Sequence, residues 1–101
     1  MPVTIDTDGS TLTAHIQGEI DHHSAAEIRR MIDLEADKQH PSVLVLDFGE
    51  VTFMDSSGIG LVMGRYKLAK TYGGKVSVTN ASAQIKKVMK LAGLERLASI
   101  E

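Results

Sequence analysis

The sequence predicts a single α/β domain, spanning residues 1–101, with a mixed, mostly parallel five-stranded sheet and three helices in the order ββαβαβαβ. Short stretches in which apolar and polar residues alternate are typical of strands, and longer stretches with helical periodicity separate them. Capping and turn residues lie at most of the boundaries between these stretches. A chain of 101 residues is long enough for one hydrophobic core and too short for a second.

The N-terminus predicts an antiparallel hairpin. Val3 and Ile5 alternate with polar residues, and the same alternation recurs at Leu12, Ala14 and Ile16. Between the two stretches lies a turn sequence, Thr7-Asp8-Gly9-Ser10, whose Asp-Gly pair suits a hairpin.

The first helix follows residues 18–23. Ser24 and Glu27 have the spacing of a capping box, which places the start of the helix near Ser24. Pro41 disfavours helical geometry in the residue before it, so the helix should end by His40. The inward stripe is predicted to be Ile28, Met31, Ile32 and Glu35, with Arg29, Arg30 and Asp33 outside.

The most informative stretch is residues 43–66. Residues 43–49 predict a strand that is buried on both faces and ends at Gly49. After a short loop, Asp55 or Ser56 can cap a helix that begins near Ser57, runs to about Tyr72 and stops at two glycines, 73 and 74. A serine hydroxyl is therefore expected at a helix N-terminus, at the carboxyl end of a central strand, where open α/β sheets usually keep functional residues.

The remaining residues predict a strand over 75–79, a third helix and a short last strand over 97–100. Ser82 can cap the helix, and Gly93 can end it with Leu94 folding back as the C-cap contact. Right-handed crossovers are expected throughout. The helix should bury Ile85, Val88, Met89 and Ala92 and expose Lys86, Lys87 and Lys90.

Composition excludes several classes of protein. A net charge of −2 argues against general nucleic-acid binding, and the absence of cysteine excludes disulfides and thiolate metal sites. No signal peptide and no apolar run of about 20 residues is present, which predicts a cytoplasmic protein that is not in a membrane. Residues 1–55 carry 11 acidic and 3 basic side chains, and residues 56–101 carry 2 acidic and 8 basic ones. This asymmetry predicts a polarised surface that can orient a partner, although ordinary solvated helix faces explain it equally well.

The helix after Ser57 has two stripes. Ile59, Val62, Met63, Tyr66 and Ala69 are expected to face the sheet, and Ser57, Leu61, Gly64 and Leu68 form the second stripe. With Gly58 and Gly60, the helix has three glycines in seven residues, each of which costs roughly 1 kcal/mol relative to alanine. Either this helix packs very closely on its own domain, or a flat patch beside Ser57 is kept for another protein.

Ser57 has two readings. As a plain N-cap it needs no function, but Asp55, Ser56 and Ser57 supply more capping groups than one helix requires. The hydroxyl left over lies where backbone N–H groups and the helix dipole favour an anion such as phosphate.

Residues 18–23 (Gly-Glu-Ile-Asp-His-His), 53–60 (Phe-Met-Asp-Ser-Ser-Gly-Ile-Gly) and 64–67 (Gly-Arg-Tyr-Lys) resemble the bacterial anti-sigma factor antagonists of the STAS domain family, most of all those of sporulation. The resemblance spans essentially the whole chain. It implies that a partner anti-sigma factor with serine kinase activity phosphorylates Ser57, that only the unphosphorylated form binds this kinase and frees the sigma factor, and that a PP2C-type phosphatase resets the switch. It further implies that Asp21 lies near Ser57 and that a further helix usually follows the last strand. The chain is expected to be a monomer, or a weak dimer through an exposed sheet edge, without cofactor, metal or enzymatic activity. The partner-binding residues expected from the motifs are Asp21, Asp55, Ser56, Ser57, Gly58, Gly60, Leu61 and Gly64.

Three other functions are compatible with single features. Ser57 could be a nucleophile with His22 or His23 as its base, but the sequence has no Gly-x-Ser-x-Gly elbow. The two adjacent histidines could suggest a metal, although no other ligand cluster accompanies them. Gly58, Gly60 and Gly64 differ from the dinucleotide fingerprint, so nucleotide binding by a lone STAS module has weak support.

Overall fold

The computed structural model describes residues 2–101, and within them no helix is both long and apolar enough to cross a membrane. The described elements are β1 (Val3–Asp8), β2 (Thr11–Ile20), α1 (His22–Gln39), β3 (Val43–Met54), α2 (Ser56–Lys70), β4 (Lys75–Thr79), α3 (Ala83–Leu91), a 3₁₀ turn (Leu94–Arg96) and β5 (Ser99–Ile100).

The five described strands form one sheet in the order β1-β2-β3-β4-β5. β1 pairs antiparallel with β2, and every later pair is parallel. The mixed, mostly parallel sheet and its N-terminal hairpin are therefore confirmed. Because each crossover moves one strand further in the same direction, right-handed connections place all three helices on the same face of the sheet.

Burial of the strand residues agrees with this layering. Leu12, Leu44 and Val76 are cross-strand neighbours on the covered face and are fully or almost fully buried. On the opposite face, the cross-strand neighbours Thr13 and Val45 are partly exposed. β3 therefore alternates between buried and partly exposed residues, and the prediction that it is buried on both faces is wrong.

β3 also runs further than its sequence predicts. It continues past Gly49 to Met54, because residues 50–54 pair with the second half of β2 beyond an irregularity in the register. The last strand is shorter than predicted, since residues 94–96 form a 3₁₀ turn and only Ser99 and Ile100 pair with β4. The end of α1 at Gln39, before Pro41, is as predicted.

The predicted ends of the third helix are confirmed, but its predicted inner face is partly wrong. The Ser82 hydroxyl accepts a hydrogen bond from the Ile85 N–H, and Gly93 adopts the left-handed conformation that precedes a fully buried Leu94. Val88 is 42% exposed and Ala92 is exposed, although both were predicted to point inward. The helix stops at Leu91, so Ala92 lies beyond its end, and within the last turn Met89 is the residue that reaches the core.

The inner face of α2 differs from the apolar stripe of the sequence. Val62 and Ala69 are buried as predicted, whereas Ile59, Met63 and Tyr66 pack only partly buried against the core. The helix is rotated so that a charged side chain, Arg65, occupies an interior position. Its buried residues are Gly58, Leu61, Val62, Arg65 and Ala69.

Arg65 forms an ion pair that joins α2 to α1. Its Nε lies 2.9 Å from Asp33 Oδ1, with the two side chains 6% and 35% exposed. The approach is not aligned as a hydrogen bond, and Nη1 of Arg65 has no hydrogen-bond partner among residues 2–101. Burial lowers the pKa of Arg65 and raises that of Asp33, and in each case the attraction between the two groups only partly opposes this effect. The pair therefore fixes the helix contact more than it stabilises the fold.

We expect mutations of the two residues in this ion pair to lower the free energy of unfolding by unequal amounts. Asp33→Ala leaves a guanidinium buried without its partner, which should lower the free energy of unfolding by about 3 kcal/mol. Arg65→Met leaves a carboxylate that water can still reach, and should cost about 1 kcal/mol less. Urea unfolding measures both, with Asp37→Ala as the exposed control on the same helix. Equal losses for the two variants would contradict the unequal burial of the pair.

Candidate functional site

The starts of α1 and α2 meet at the carboxyl edge of the parallel strands. Asp21 follows β2 and Asp55 follows β3, and the Asp55 N–H donates a hydrogen bond of 3.1 Å to the carbonyl of Ile20. Since both helices run back from this edge across the same face, their first turns lie side by side. The structure thus brings together the two sequence segments that carry the predicted site.

The first turn of α1 is capped by Asp21. Its Oδ1 accepts hydrogen bonds of 2.9 Å from the N–H groups of His23 and Ser24, and Ser24 Oγ accepts one of 3.0 Å from the Asp21 N–H. The predicted Ser24–Glu27 capping box is wrong, because Asp21 caps the helix three residues earlier and Ser24 is the third residue of the helix, whose side chain closes the box. The hydrogen bond from the Ser24 N–H outweighs partial burial, so the pKa of Asp21 lies below its ordinary value.

The first turn of α2 is capped by Asp55 and not by a serine. Asp55 Oδ1 accepts a hydrogen bond of 2.8 Å from the Ser57 N–H, and the helix begins at Ser56. The Ser57 side chain is left without a capping role. Its hydroxyl forms no hydrogen bond with any group of residues 2–101, and the residue is partly exposed beside an exposed Ser56.

The Ser57 side chain opens into a groove between the two helices. This α1–α2 groove has a volume of about 330 Å³ and is open to solvent. The sequence predicts only that Arg29 lies on the outside of α1, and it does not show that this side chain lines the groove. The spacing of His22 and Arg29, seven residues apart on one helical face, was the available signal. The lining residues are His22, Ala25, Ala26, Arg29, Ser57, Gly60 and Leu61.

The three glycines of α2 have different surroundings. A Cβ at Gly58 would collide with the Met54 side chain, so this glycine allows close packing inside the domain. A Cβ at Gly60 or Gly64 would meet nothing within 4 Å. Close packing is therefore confirmed for Gly58, whereas a patch for another protein beside Gly60 and Gly64 stays a prediction.

Two of the predicted partner-binding residues are not on the surface. Gly58 is buried, and Leu61 is only 4% exposed. Neither can form part of an exposed contact surface, because the rotation that buries Arg65 turns both residues toward the core. They lie beneath Ser57, Gly60 and Gly64 and determine the shape of that surface.

The histidines next to this site have no catalytic or metal-binding arrangement in residues 2–101. His22 shares the groove with Ser57, but no hydrogen bond joins the two side chains or holds the imidazole to a third group. No group of three or more His, Cys, Asp or Glu side chains that could hold a metal occurs within the described residues.

The model of the STAS domain matches residues 2–101, and this chain belongs to that family.

Among its relatives, the chain is 28% identical to an anti-sigma F factor antagonist of Paenibacillus polymyxa over 99% of this chain and 86% of the relative. It is 32% identical to the anti-sigma F factor antagonist of Lysinibacillus sphaericus, over 83% of this chain and 72% of that protein. The solved structure of the anti-sigma factor antagonist SpoIIAA in its unphosphorylated form is similar at 28% identity, with a TM-score of 0.84 over 98% of this chain and 87% of that one. The Bacillus SpoIIAA structure in the phosphorylated form gives a TM-score of 0.77 at 28% identity, over 98% of this chain and 90% of that one.

The two open glycines of α2 lower stability without any packing benefit. We expect Gly60→Ala and Gly64→Ala each to raise the free energy of unfolding by about 0.5–1 kcal/mol, because alanine favours the helix and the added methyl meets no neighbour. Gly58→Ala should lower it, since Met54 must move. Urea denaturation of the three variants tests this, and a loss of stability in Gly60→Ala would show that its methyl group is not in open space.

The cap of α1 should also make the protein sensitive to acid. A lowered pKa means that the folded state gains from the ionised Asp21 above the ordinary carboxyl pKa, about 4, and loses this gain as pH falls through the folded pKa. Asp21→Asn should therefore be less stable than the wild type at neutral pH and approach it below pH of about 3. Urea midpoints measured across this pH range provide the test, and a constant difference between the two proteins would exclude a role for the charge.

Proposed function

We propose that this chain is an anti-sigma factor antagonist and that Ser57 is its phosphorylation switch. In its unphosphorylated form it binds an anti-sigma factor that is also a serine kinase, and the sigma factor is released. The single observation that carries the proposal is the Ser57 hydroxyl, which is partly exposed and free of any capping role because Asp55 caps the helix. Ser57 is the substrate of the reaction and not a catalyst.

The proposed contact surface surrounds this hydroxyl. Ser56 is exposed, and Gly60 and Gly64 present helix backbone with nothing covering them. Such a surface lets a partner approach α2 closely, which accounts for the stability given up at these two positions. Asp21 and Asp55 add two carboxylates at the start of the helices. The full proposed surface is Asp21, Asp55, Ser56, Ser57, Gly60 and Gly64, supported from beneath by Gly58 and Leu61.

The modification is a phosphoryl transfer from ATP bound to the kinase. The Ser57 Oγ bonds to the γ-phosphorus as the bond to ADP breaks, and the hydroxyl proton passes to a base of the kinase. The product carries a charge of about −1.5 to −2 at neutral pH. The fold accepts this group because the hydroxyl is already open to solvent. A partner that covers it does not, since a phosphate buried against it without counter-charges costs several kcal/mol, on the order of a thousandfold in affinity.

The relatives support the proposal from an independent direction. Those from Paenibacillus polymyxa and Lysinibacillus sphaericus are named as anti-sigma F factor antagonists, and SpoIIAA is known in unphosphorylated and phosphorylated forms. Their similarity extends over most of this chain. We accordingly place the chain in a partner-switching pathway of the sporulation type, in the cytoplasm, with a PP2C-type phosphatase that restores the hydroxyl. No cofactor or nucleic acid enters this scheme, and the chain acts as a monomer or weak dimer.

The proposal predicts one phosphate, at Ser57, after incubation with the cognate anti-sigma kinase and ATP. Intact-mass measurement and peptide mapping detect it, with Ser56→Ala as the matched control that is still modified. Ser57→Ala should bind the kinase normally and remain unmodified. Ser57→Asp should fold normally but bind at least tenfold more weakly, because a carboxylate reproduces part of the phosphate charge.

Isothermal titration of the kinase with bare and phosphorylated protein tests the switch itself. Equal affinity for the two forms would falsify the proposal, as would modification of Ser56 in place of Ser57. Binding of Gly60→Ala, which is expected to fold more stably, tests the contact surface separately. It should bind the kinase more weakly than the wild type although its free energy of unfolding is higher.

One observation gives a second candidate some support, because His22 and Ser57 line the same groove. A serine hydrolase would turn over an activated ester, and both Ser57→Ala and His22→Ala would abolish this turnover. We expect no difference between these variants and the wild type, since no group holds the imidazole against the serine.

A further inference from the structure

Arg29 is among the residues that line the α1–α2 groove, whereas no carboxylate lines it. The face of α1 that lines it carries His22, Ala25, Ala26 and Arg29, at spacings of three, one and three residues. Asp21 and Asp55 lie at the carboxyl edge of the sheet, where both helices begin, and Arg29 lies two turns further along α1. The small side chains between these ends leave open space that connects Ser57 with Arg29.

Arg29 is a cation whose obvious partner is already occupied. Asp33 lies one turn further on α1, but its carboxylate is held by Arg65 at 2.9 Å, and Arg29 forms no ion pair among residues 2–101. Burial lowers the pKa of Arg65 most, and repulsion from Arg29 lowers it further against the attraction of Asp33. Both guanidinium groups attract Asp33 while they repel each other, and an additional anion near Arg29 would relieve this repulsion.

The carboxylates at the other end would direct such an anion away from themselves. Asp55 accepts a hydrogen bond from the Ser57 N–H, and Asp21 accepts hydrogen bonds from two N–H groups of α1, so both carboxylates are fixed where the two helices begin. A phosphate on Ser57 is repelled by these two groups and attracted by Arg29 through the open groove.

We infer that Arg29 is the intramolecular counter-charge of phosphorylated Ser57, and that the phosphate turns along the α1–α2 groove toward this side chain. The inference rests on the proposed function only in taking Ser57 as the phosphorylated residue. The pairing holds the phosphate over Ala25 and Gly60, on the surface assigned to the kinase. The modified chain therefore covers its own contact surface in addition to carrying a repulsive charge.

The experiment uses the 101-residue chain with phosphoserine incorporated at position 57 during translation, so no kinase is required. Phosphorus NMR follows the second ionisation of the phosphate in the wild type, Arg29→Gln and Arg30→Gln. Arg30 is the matched control, because it carries the same charge one residue further on and does not line the groove. The phosphate pKa in the wild type should lie below the usual value of about 6. Arg29→Gln should raise it by about half a unit, since a nearby cation favours the dianion, and Arg30→Gln should leave it near the wild-type value.

A second readout follows the groove directly. The amide signals of Ala25 and Gly60 should shift on phosphorylation in the wild type and in Arg30→Gln, and less in Arg29→Gln. The inference is overturned if the phosphate pKa of Arg29→Gln equals that of the wild type, or if the two arginine variants change this pKa equally. Kinase binding separates this failure from that of the proposed function. If the kinase does not bind the phosphorylated protein but Arg29→Gln leaves the phosphate pKa unchanged, only the role of Arg29 is refuted. If the kinase binds both forms equally, the proposed switch is refuted.

Discussion

The handedness of the crossovers is the constraint on which the rest of the molecule depends. β2, β3, β4 and β5 lie in sequence order, so each connection moves in the same direction across the sheet. Right-handed connections then place every helix on one face and start each one at the same edge. The hydrogen bond from Asp55 to Ile20 joins the first two of these starts. Two segments more than 30 residues apart in sequence thereby form one surface, and the other face of the sheet contributes nothing to it.

An ion pair between Arg65 and Asp33 joins α2 to α1. A buried arginine paired with a partly exposed aspartate gains little net stability, because loss of hydration opposes the attraction. Its effect is geometric, since Arg65 sets the rotation of α2. That rotation places Gly58 and Leu61 inside and leaves Ser57, Gly60 and Gly64 at the surface. Placing an apolar residue at 65 would remove the penalty of burying the charge and, with it, the tie that fixes this rotation.

The proposed switch needs a rigid site more than a mobile one. Asp21 and Asp55 satisfy the first N–H groups of their helices, so neither helix depends on the Ser57 hydroxyl for its start. The hydroxyl is therefore available for modification, and adding a phosphate removes no hydrogen bond from the fold. Under the proposed switch, the chain changes its partner without changing its structure. The inferred pairing with Arg29 would move only side chains.

The sequence by itself determined the fold class, the order of the strands and helices, and the presence of Ser57 at a helix start, because these follow from local periodicity, capping groups and turn residues. It did not locate the cap of α1 at Asp21, the continuation of β3 past Gly49 or the exposure of Val88. Only tertiary structure decided which face of α2 is inside, since a buried Arg65 contradicts the apolar pattern and is explained only by Asp33 on another helix. The groove that joins Ser57 to Arg29 was beyond the sequence for the same reason. The groove forms between two helices, and the residue spacing on either helix alone does not show that its face lines a groove.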